Sequence, residues 1–155
     1  MKHKKKYITT FLLFFGLCLL FSFHAFAINP ITVYLNNKIL TFDVDPMLEN
    51  GTTLVPMRKI FESLGAEVTY DEKSQTVEAL KDGKEISLQI GSKYSIINGE
   101  KKAINVPAKV LNGRTLVPLR FVSETLGARV NWNDQNRSIT IESTKKAGFN
   151  VISIY

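Results

Sequence analysis

Histidine and cysteine are almost missing from this sequence, and neither occurs after Ala27. The histidines are His3 and His24, and the single cysteine is Cys18. If the leading segment is removed, as we expect, the remaining chain has no imidazole and no thiol. This excludes cysteine and histidine nucleophiles, histidine general bases, zinc sites and type-2 copper sites. Disulfides are excluded as well, so the fold must be stabilised by burial alone.

The leading segment, Met1–Ala27, has the three parts of a secretory signal peptide. A basic segment comes first, an uncharged apolar run over residues 8–23 follows, and Ala25-Phe26-Ala27 has the small-x-small pattern of a cleavage site. An uncleaved anchor is the alternative, because about 18 apolar residues can span a bilayer. We expect cleavage after Ala27, a secreted or cell-surface location, and no membrane contact by the mature chain, residues 28–155.

Most of the excess positive charge belongs to this segment. The full chain has a formal charge of +6, and removal of four lysines leaves +2: Lys2, Lys4, Lys5 and Lys6. So small an excess gives no reason to expect a nucleic-acid partner. Carboxylates, lysines, tyrosines and hydroxyls are what is left for chemistry. We therefore expect no catalytic residue, no metal and no other cofactor.

One stretch of the sequence occurs twice, as Asn50–Tyr70 and again as Asn112–Trp132. Twelve of the 21 positions are identical between the two copies, with no gap. The shared landmarks are Asn50, Gly51, Pro56, Arg58, Glu62 and Gly65 in the first copy, and Asn112, Gly113, Pro118, Arg120, Glu124 and Gly127 in the second. We predict two half-repeats, about 31–91 and 93–155, that share one core, because about 60 residues are marginal alone.

Each copy is predicted to form a strand, a short helix and a second strand. Asn-Gly is a turn signal, and the Thr-Leu-Val after it favours an extended segment. Pro56 and Pro118 suit the first position of a helix. Apolar residues at i, i+3, i+4 and i+7 give the first helix one apolar face, and those at i, i+3 and i+7 do so in the second. Gly65 and Gly127 then end the helices in the left-handed conformation.

Alternating apolar residues and polar turns predict further strands. They are residues 31–35, 39–42, 94–97, 101–106, 76–80, 86–90, 138–142 and 149–155. The predicted fold class is α+β: two pseudo-repeated β-hairpin/helix/strand units, with antiparallel sheet and two short helices packed on one shared core.

The doubled motif, Asn-Gly-x-Thr-Leu-Val-Pro-x-Arg, then Glu, then Leu-Gly-Ala-x-Val-x-Trp/Tyr, resembles the copper amine oxidase N-terminal-like domain. This family, also called the stalk domain, occurs in exported bacterial proteins, and the resemblance covers about residues 33–141. Three positions depart from its pattern: Thr52 replaces an Arg, Lys59 an apolar or small residue, and Tyr70 a Trp. The resemblance implies a non-catalytic accessory domain, because copper and the quinone belong to a separate domain of the amine oxidases.

Two kinds of side chain in the repeated motif are candidates for a functional surface. Arg58 with Glu62, and Arg120 with Glu124, can form i,i+4 ion pairs or reach a neighbouring strand, either as scaffold bonds or as anion clamps. Tyr70 and Trp132 are the candidate binding surface. Such rings can stack on sugars, but they can also cover a core with one polar edge in water.

Three functions follow from these features. The first is a non-catalytic binding or structural module that contacts cell-wall glycan or another exported protein. The second is a wall-polysaccharide hydrolase that uses only carboxylates, for which Asp43 and Asp45, expected on one face of a strand, are candidates. The third is a purely structural stalk that forms a homodimer through the apolar final strand, Phe149–Tyr155.

Overall fold

A computed structural model of the chain describes residues 30–143. In this range, 53% of the residues are in strands and 12% are in helices. The predicted α+β class is therefore wrong, and the fold is mostly β. The predicted signal segment and the predicted strand Phe149–Tyr155 lie outside the described residues. Within residues 30–143, no helix is both long and apolar enough to span a bilayer.

The elements follow in a regular order along the chain. The strands are β1 (Thr32–Leu35), β2 (Lys38–Leu40), β3 (Met47–Glu49), β4 (Thr52–Pro56), β5 (Glu67–Asp71), β6 (Thr76–Lys81), β7 (Lys84–Gln89), β8 (Tyr94–Ile97), β9 (Glu100–Ala103), β10 (Lys109–Leu111), β11 (Arg114–Pro118), β12 (Ala128–Asn133) and β13 (Ser138–Ser143). The helices are α1 (Met57–Ser63) and α2 (Leu119–Thr125).

These strands form three sheets. The orders are β12-β13-β1-β2, β10-β11-β4-β3 and β5-β6-β7-β8-β9. The pair β1–β13 is parallel, whereas the other pairs in these sheets are antiparallel. The expected purely antiparallel pairing is therefore wrong at one place, where the first strand of the described chain lies beside the last.

The fold class was predicted wrongly because two strands were not predicted. β3 ends just before Asn50-Gly51, and β10 ends just before Asn112-Gly113. Each repeated turn therefore joins the two strands of a hairpin, whereas only the strand after the turn was predicted. All four turn residues have positive φ, as such a hairpin requires. With β4 and β11 these strands make one four-stranded sheet. The helices have seven residues each, so strands make up most of the described chain.

The helices themselves lie where the sequence predicted them. Pro56 and Pro118 are the N-cap residues, one position before the predicted place, and they also end β4 and β11. Gly65 and Gly127 follow the helices with φ of 78° and 85°. This confirms the predicted left-handed ends. A side chain at either position would be strained, although no atom obstructs it.

The main core cluster draws residues from both copies of the motif. Ile60 and Phe61 of α1 are fully buried, as is Val122 of α2. At the position equivalent to Phe61, α2 has Ser123, which is also fully buried. Its Oγ has no hydrogen-bond partner among the described residues. One shared core was predicted, whereas the division into two half-repeats stays a prediction.

Candidate functional site

A cleft of about 540 Å³ lies beside Trp132, and we call it the Trp132 cleft. Its apolar wall includes Leu48, Ile104, Leu119, Phe121, Val130 and Ile139. Its polar lining comes from Thr52, Thr53, Asn105, Arg120, Glu124, Asp134 and Arg137. The volume falls within the range of small-molecule sites, and an apolar wall with a few polar groups is typical of them.

Trp132 takes part in both the core and the cleft. It is half-buried, packs against the main core cluster, and also lines the cleft. Its indole Nε1 donates to Oδ1 of Asp134 at 3.4 Å. One part of the ring therefore packs on the core, and another part is exposed in the cleft with its polar edge. Both predicted roles of Trp132, core residue and binding surface, agree with this position.

Arg120 is held from two sides in the wall of the same cleft. Its Nη1 donates to Glu124 Oε1 at 3.2 Å and to the carbonyl oxygen of Val130 at 2.8 Å. The bond to β12 fixes the helix against the following strand. Arg58 forms neither of these bonds within the described range, although its sequence context is nearly the same. The predicted pairing thus holds for Arg120 with Glu124 but not for Arg58 with Glu62.

The cleft is completed by the other copy of the motif. Gly51, Thr52 and Thr53 line it, and they belong to the β3–β4 turn and strand. Thr52 and Thr53 were not predicted as site residues. The repeat itself identifies both copies of this turn, but nothing in the sequence says that each turn lies beside the aromatic residue of the opposite copy.

A second cleft of about 680 Å³ lies beside Tyr70, and we call it the Tyr70 cleft. Tyr70 is half-buried against the core, as Trp132 is. Arg58 lines this cleft, and so do Gly113, Arg114 and Asp43. Nε of Arg114 donates to Oδ2 of Asp43. This hydrogen bond holds the pKa of Asp43 below its ordinary value of 3.8.

Five residues of the repeated motif line neither cleft. Glu62, Gly65, Gly127, Asn50 and Asn112 shape the helices and turns around them. Asp43 and Asp45 lie in the connection between β2 and β3, so the prediction of a shared strand face is wrong. In the Trp132 cleft, Glu124 accepts from Arg120 and Asp134 accepts from Trp132, so each carboxylate already has a donor.

Copper does not fit the described residues. Residues 30–143 have no histidine and no cysteine. Within that range, no three carboxylates come together as a metal-binding group. Because copper sites in proteins use imidazole or sulfur ligands, the donor set needed for copper is not present in this part of the chain.

Comparisons with known proteins identify the family of this chain. The copper amine oxidase N-terminal domain matches residues 34–141, more than half of the chain. A protein from Brevibacillus choshinensis named protease inhibitor is 31% identical over 96 residues, which is 62% of this chain and 29% of that protein. A primary amine oxidase from Klebsiella aerogenes is 28% identical over 81 residues, 51% of this chain and 11% of that enzyme.

The chain therefore spans less than a third of the length of either relative, and the activity of neither is transferred by the match. What the match does cover is the accessory, non-catalytic part of the amine oxidases. The chain belongs to the copper amine oxidase N-terminal domain family.

Proposed function

We propose that this protein is a non-catalytic, extracytoplasmic binding domain that holds cell-wall carbohydrate in the Trp132 cleft. The observation that carries the proposal is the pairing of a half-buried indole with hydrogen-bonded charged side chains in one cleft. The predicted signal peptide supports an extracytoplasmic location.

The charges in the cleft favour a neutral ligand that has many hydroxyl groups. Arg120 and Arg137 are matched in number by Glu124 and Asp134, so the lining has no net charge. Guanidinium groups donate hydrogen bonds and carboxylates accept them, and a sugar hydroxyl can do both. The apolar face of a pyranose ring can lie on the indole. A cleft with this lining suits a sugar better than it suits an anion.

The hydrolase is not supported by the described residues. A glycosidase needs two carboxylates that face each other across the scissile bond, one of which acts as a proton donor. In the Trp132 cleft, the carboxylates instead accept hydrogen bonds from Arg120 and Trp132. In the Tyr70 cleft, Asp43 is held ionised by Arg114. These carboxylates are suited to hydrogen bonding and not to acid catalysis.

Trp132 is the sole tryptophan of the chain, so intrinsic fluorescence reports directly on the cleft. We expect soluble peptidoglycan fragments to change its emission saturably. We also expect Trp132→Ala to weaken retention on insoluble peptidoglycan about tenfold or more, as loss of a central aromatic contact does. Asp134→Ala, at an exposed turn, should weaken it less and leave the fold intact.

Tyr94→Ala is the matched control, because Tyr94 is an exposed aromatic residue that lines neither cleft. Equal retention of the wild type, Trp132→Ala and Asp134→Ala would refute the proposal. One relative is named protease inhibitor, which makes a protein the second candidate ligand. An emission change with a secreted protease, and none with peptidoglycan, would favour that alternative.

A further inference from the structure

We propose that the Tyr70 cleft is a second carbohydrate site, so that one chain binds two glycan segments. This inference rests on the proposed function of the Trp132 cleft and adds a site to it. Two observations support it: the strand pairing that joins the two copies of the motif, and the residues that line the two clefts.

The two copies are joined by a pairing that relates them by an approximate twofold axis. β4 and β11 are antiparallel, and Val55 lies opposite Val117, its own equivalent in the second copy. The flanking pairs are Leu54 with Pro118 and Pro56 with Leu116. Leu54 therefore pairs with the equivalent of Pro56, and Pro56 pairs with the equivalent of Leu54. Such reciprocal pairing is what a twofold axis through the Val55–Val117 pair produces.

The residues that line the two clefts are related by the same twofold axis. The Tyr70 cleft is lined by eleven residues, and the equivalent of every one of them in the other copy lines the Trp132 cleft. Arg58 corresponds to Arg120, Tyr70 to Trp132, and Glu72 to Asp134. The turn residue Gly113 corresponds to Gly51. Each cleft therefore combines the helix start and the aromatic residue of one copy with the Asn-Gly turn of the other.

The turn that follows the aromatic strand also has the same backbone conformation in both clefts. Gln75 and Arg137 occupy equivalent positions in the turns after β5 and β12, with φ of 52° and 51°. These turns are closed by equivalent bonds, from Lys73 N to Asp71 Oδ1 at 2.9 Å and from Gln135 N to Asn133 Oδ1 at 3.0 Å. The turn beside the aromatic residue therefore has the same conformation in both clefts.

The chemistry of the second cleft favours the same class of ligand at lower affinity. Arg58 and Arg114 are matched in number by Asp43 and Glu72, so this lining also has no net charge. Tyr70 offers a smaller ring than Trp132 and no indole N–H. Arg58 has no ion pair or hydrogen bond within the described residues, and its guanidinium is available to a sugar hydroxyl.

The test is calorimetric titration of the purified protein with a short soluble peptidoglycan oligosaccharide. We expect two oligosaccharides per chain. Arg58→Gln, which breaks no bond of the described fold, should weaken one of the two sites about tenfold and leave the Trp132 emission change unaltered. Tyr70→Ala should reduce the stoichiometry to one. Tyr70→Phe, which keeps the ring, should retain two sites.

The outcomes separate this inference from the proposed function. If the wild type binds one oligosaccharide, and Arg58→Gln and Tyr70→Ala change nothing, the second site is refuted while the Trp132 cleft stands. If the wild type gives neither heat nor an emission change, the proposed function fails and the inference fails with it. Loss of the Trp132 signal in Arg58→Gln would also contradict two separate sites.

Discussion

At the scale of residues, the two clefts differ most where Arg114 stands in place of Thr52. Arg114 forms an ion pair with Asp43, whereas the equivalents in the Trp132 cleft, Thr52 and Asn105, are uncharged. Both members of the Arg114–Asp43 pair are more than half exposed, so we expect little contribution to stability. Its effect is to fix two side chains at the rim of the Tyr70 cleft.

This ion pair predicts a measurable titration. Because the folded-state pKa of Asp43 is lowered, the ionised group contributes stability above its unfolded pKa, and this contribution is lost as pH falls through the folded pKa. Carbon-detected NMR should give a midpoint below 3.8 for Asp43. Arg114→Gln should move that midpoint up toward 3.8, since the largest cause of the shift is then gone.

Asp71 is the internal control for this titration. The hydrogen bond from Ser74 Oγ, at 2.8 Å, is the largest cause of its own lowered pKa, and Arg114 plays no part in it. Its midpoint should stay the same in Arg114→Gln. An Asp43 midpoint that does not respond to the substitution would show that the ion pair is not formed in solution.

At the scale of elements, the β6–β7 hairpin supports the helix of the other copy. Nζ of Lys84 donates to the carbonyl oxygen of Thr125 at 2.7 Å, and Nζ of Lys81 donates to that of Leu126 at 3.4 Å. These carbonyls lie at the end of α2, where backbone acceptors have no partner within the helix. A positive charge there also interacts favourably with the negative end of the helix dipole. The two strands of this hairpin were predicted, as residues 76–80 and 86–90, but their contact with α2 was not.

Lys84→Ala should therefore lower the free energy of unfolding by roughly 0.3–1 kcal/mol, the usual effect of a cation at a helix C-terminus. Urea unfolding measures this difference. Lys73→Ala is the matched control, because the Lys73 side chain is exposed and forms no such bond within residues 30–143. Equal effects of the two substitutions would mean that Lys84 does not cap α2.

The elements also show how far sequence reasoning reached. The helices, their apolar faces and the glycines that end them were predicted, because each depends on residues a few positions apart. The strands β3 and β10 could have been found, since an Asn-Gly turn between apolar residues is a hairpin signal. The parallel pairing of β1 with β13 could not have been predicted, because it joins opposite ends of the described chain and no local pattern specifies it.

At the scale of the whole molecule, the relation between the two copies decides what the protein can bind. The sequence shows that a motif occurs twice, but the same repeat is compatible with copies stacked side by side or related by a twofold axis. The register of β4 with β11 selects the second arrangement. Only that register brings Gly51 beside Trp132 and Gly113 beside Tyr70, which is why the clefts were not predicted.

The most direct test of these two composite clefts is a backbone NMR spectrum recorded during titration with the soluble oligosaccharide. The amides of Gly51 and Gly113 report on the turn that each copy contributes to the opposite cleft, and the indole N–H of Trp132 reports on one aromatic wall. We predict that all three signals shift, with the Gly51 amide following the Trp132 indole. Shifts confined to β7 and β8, with both glycine amides unmoved, would contradict binding in the clefts.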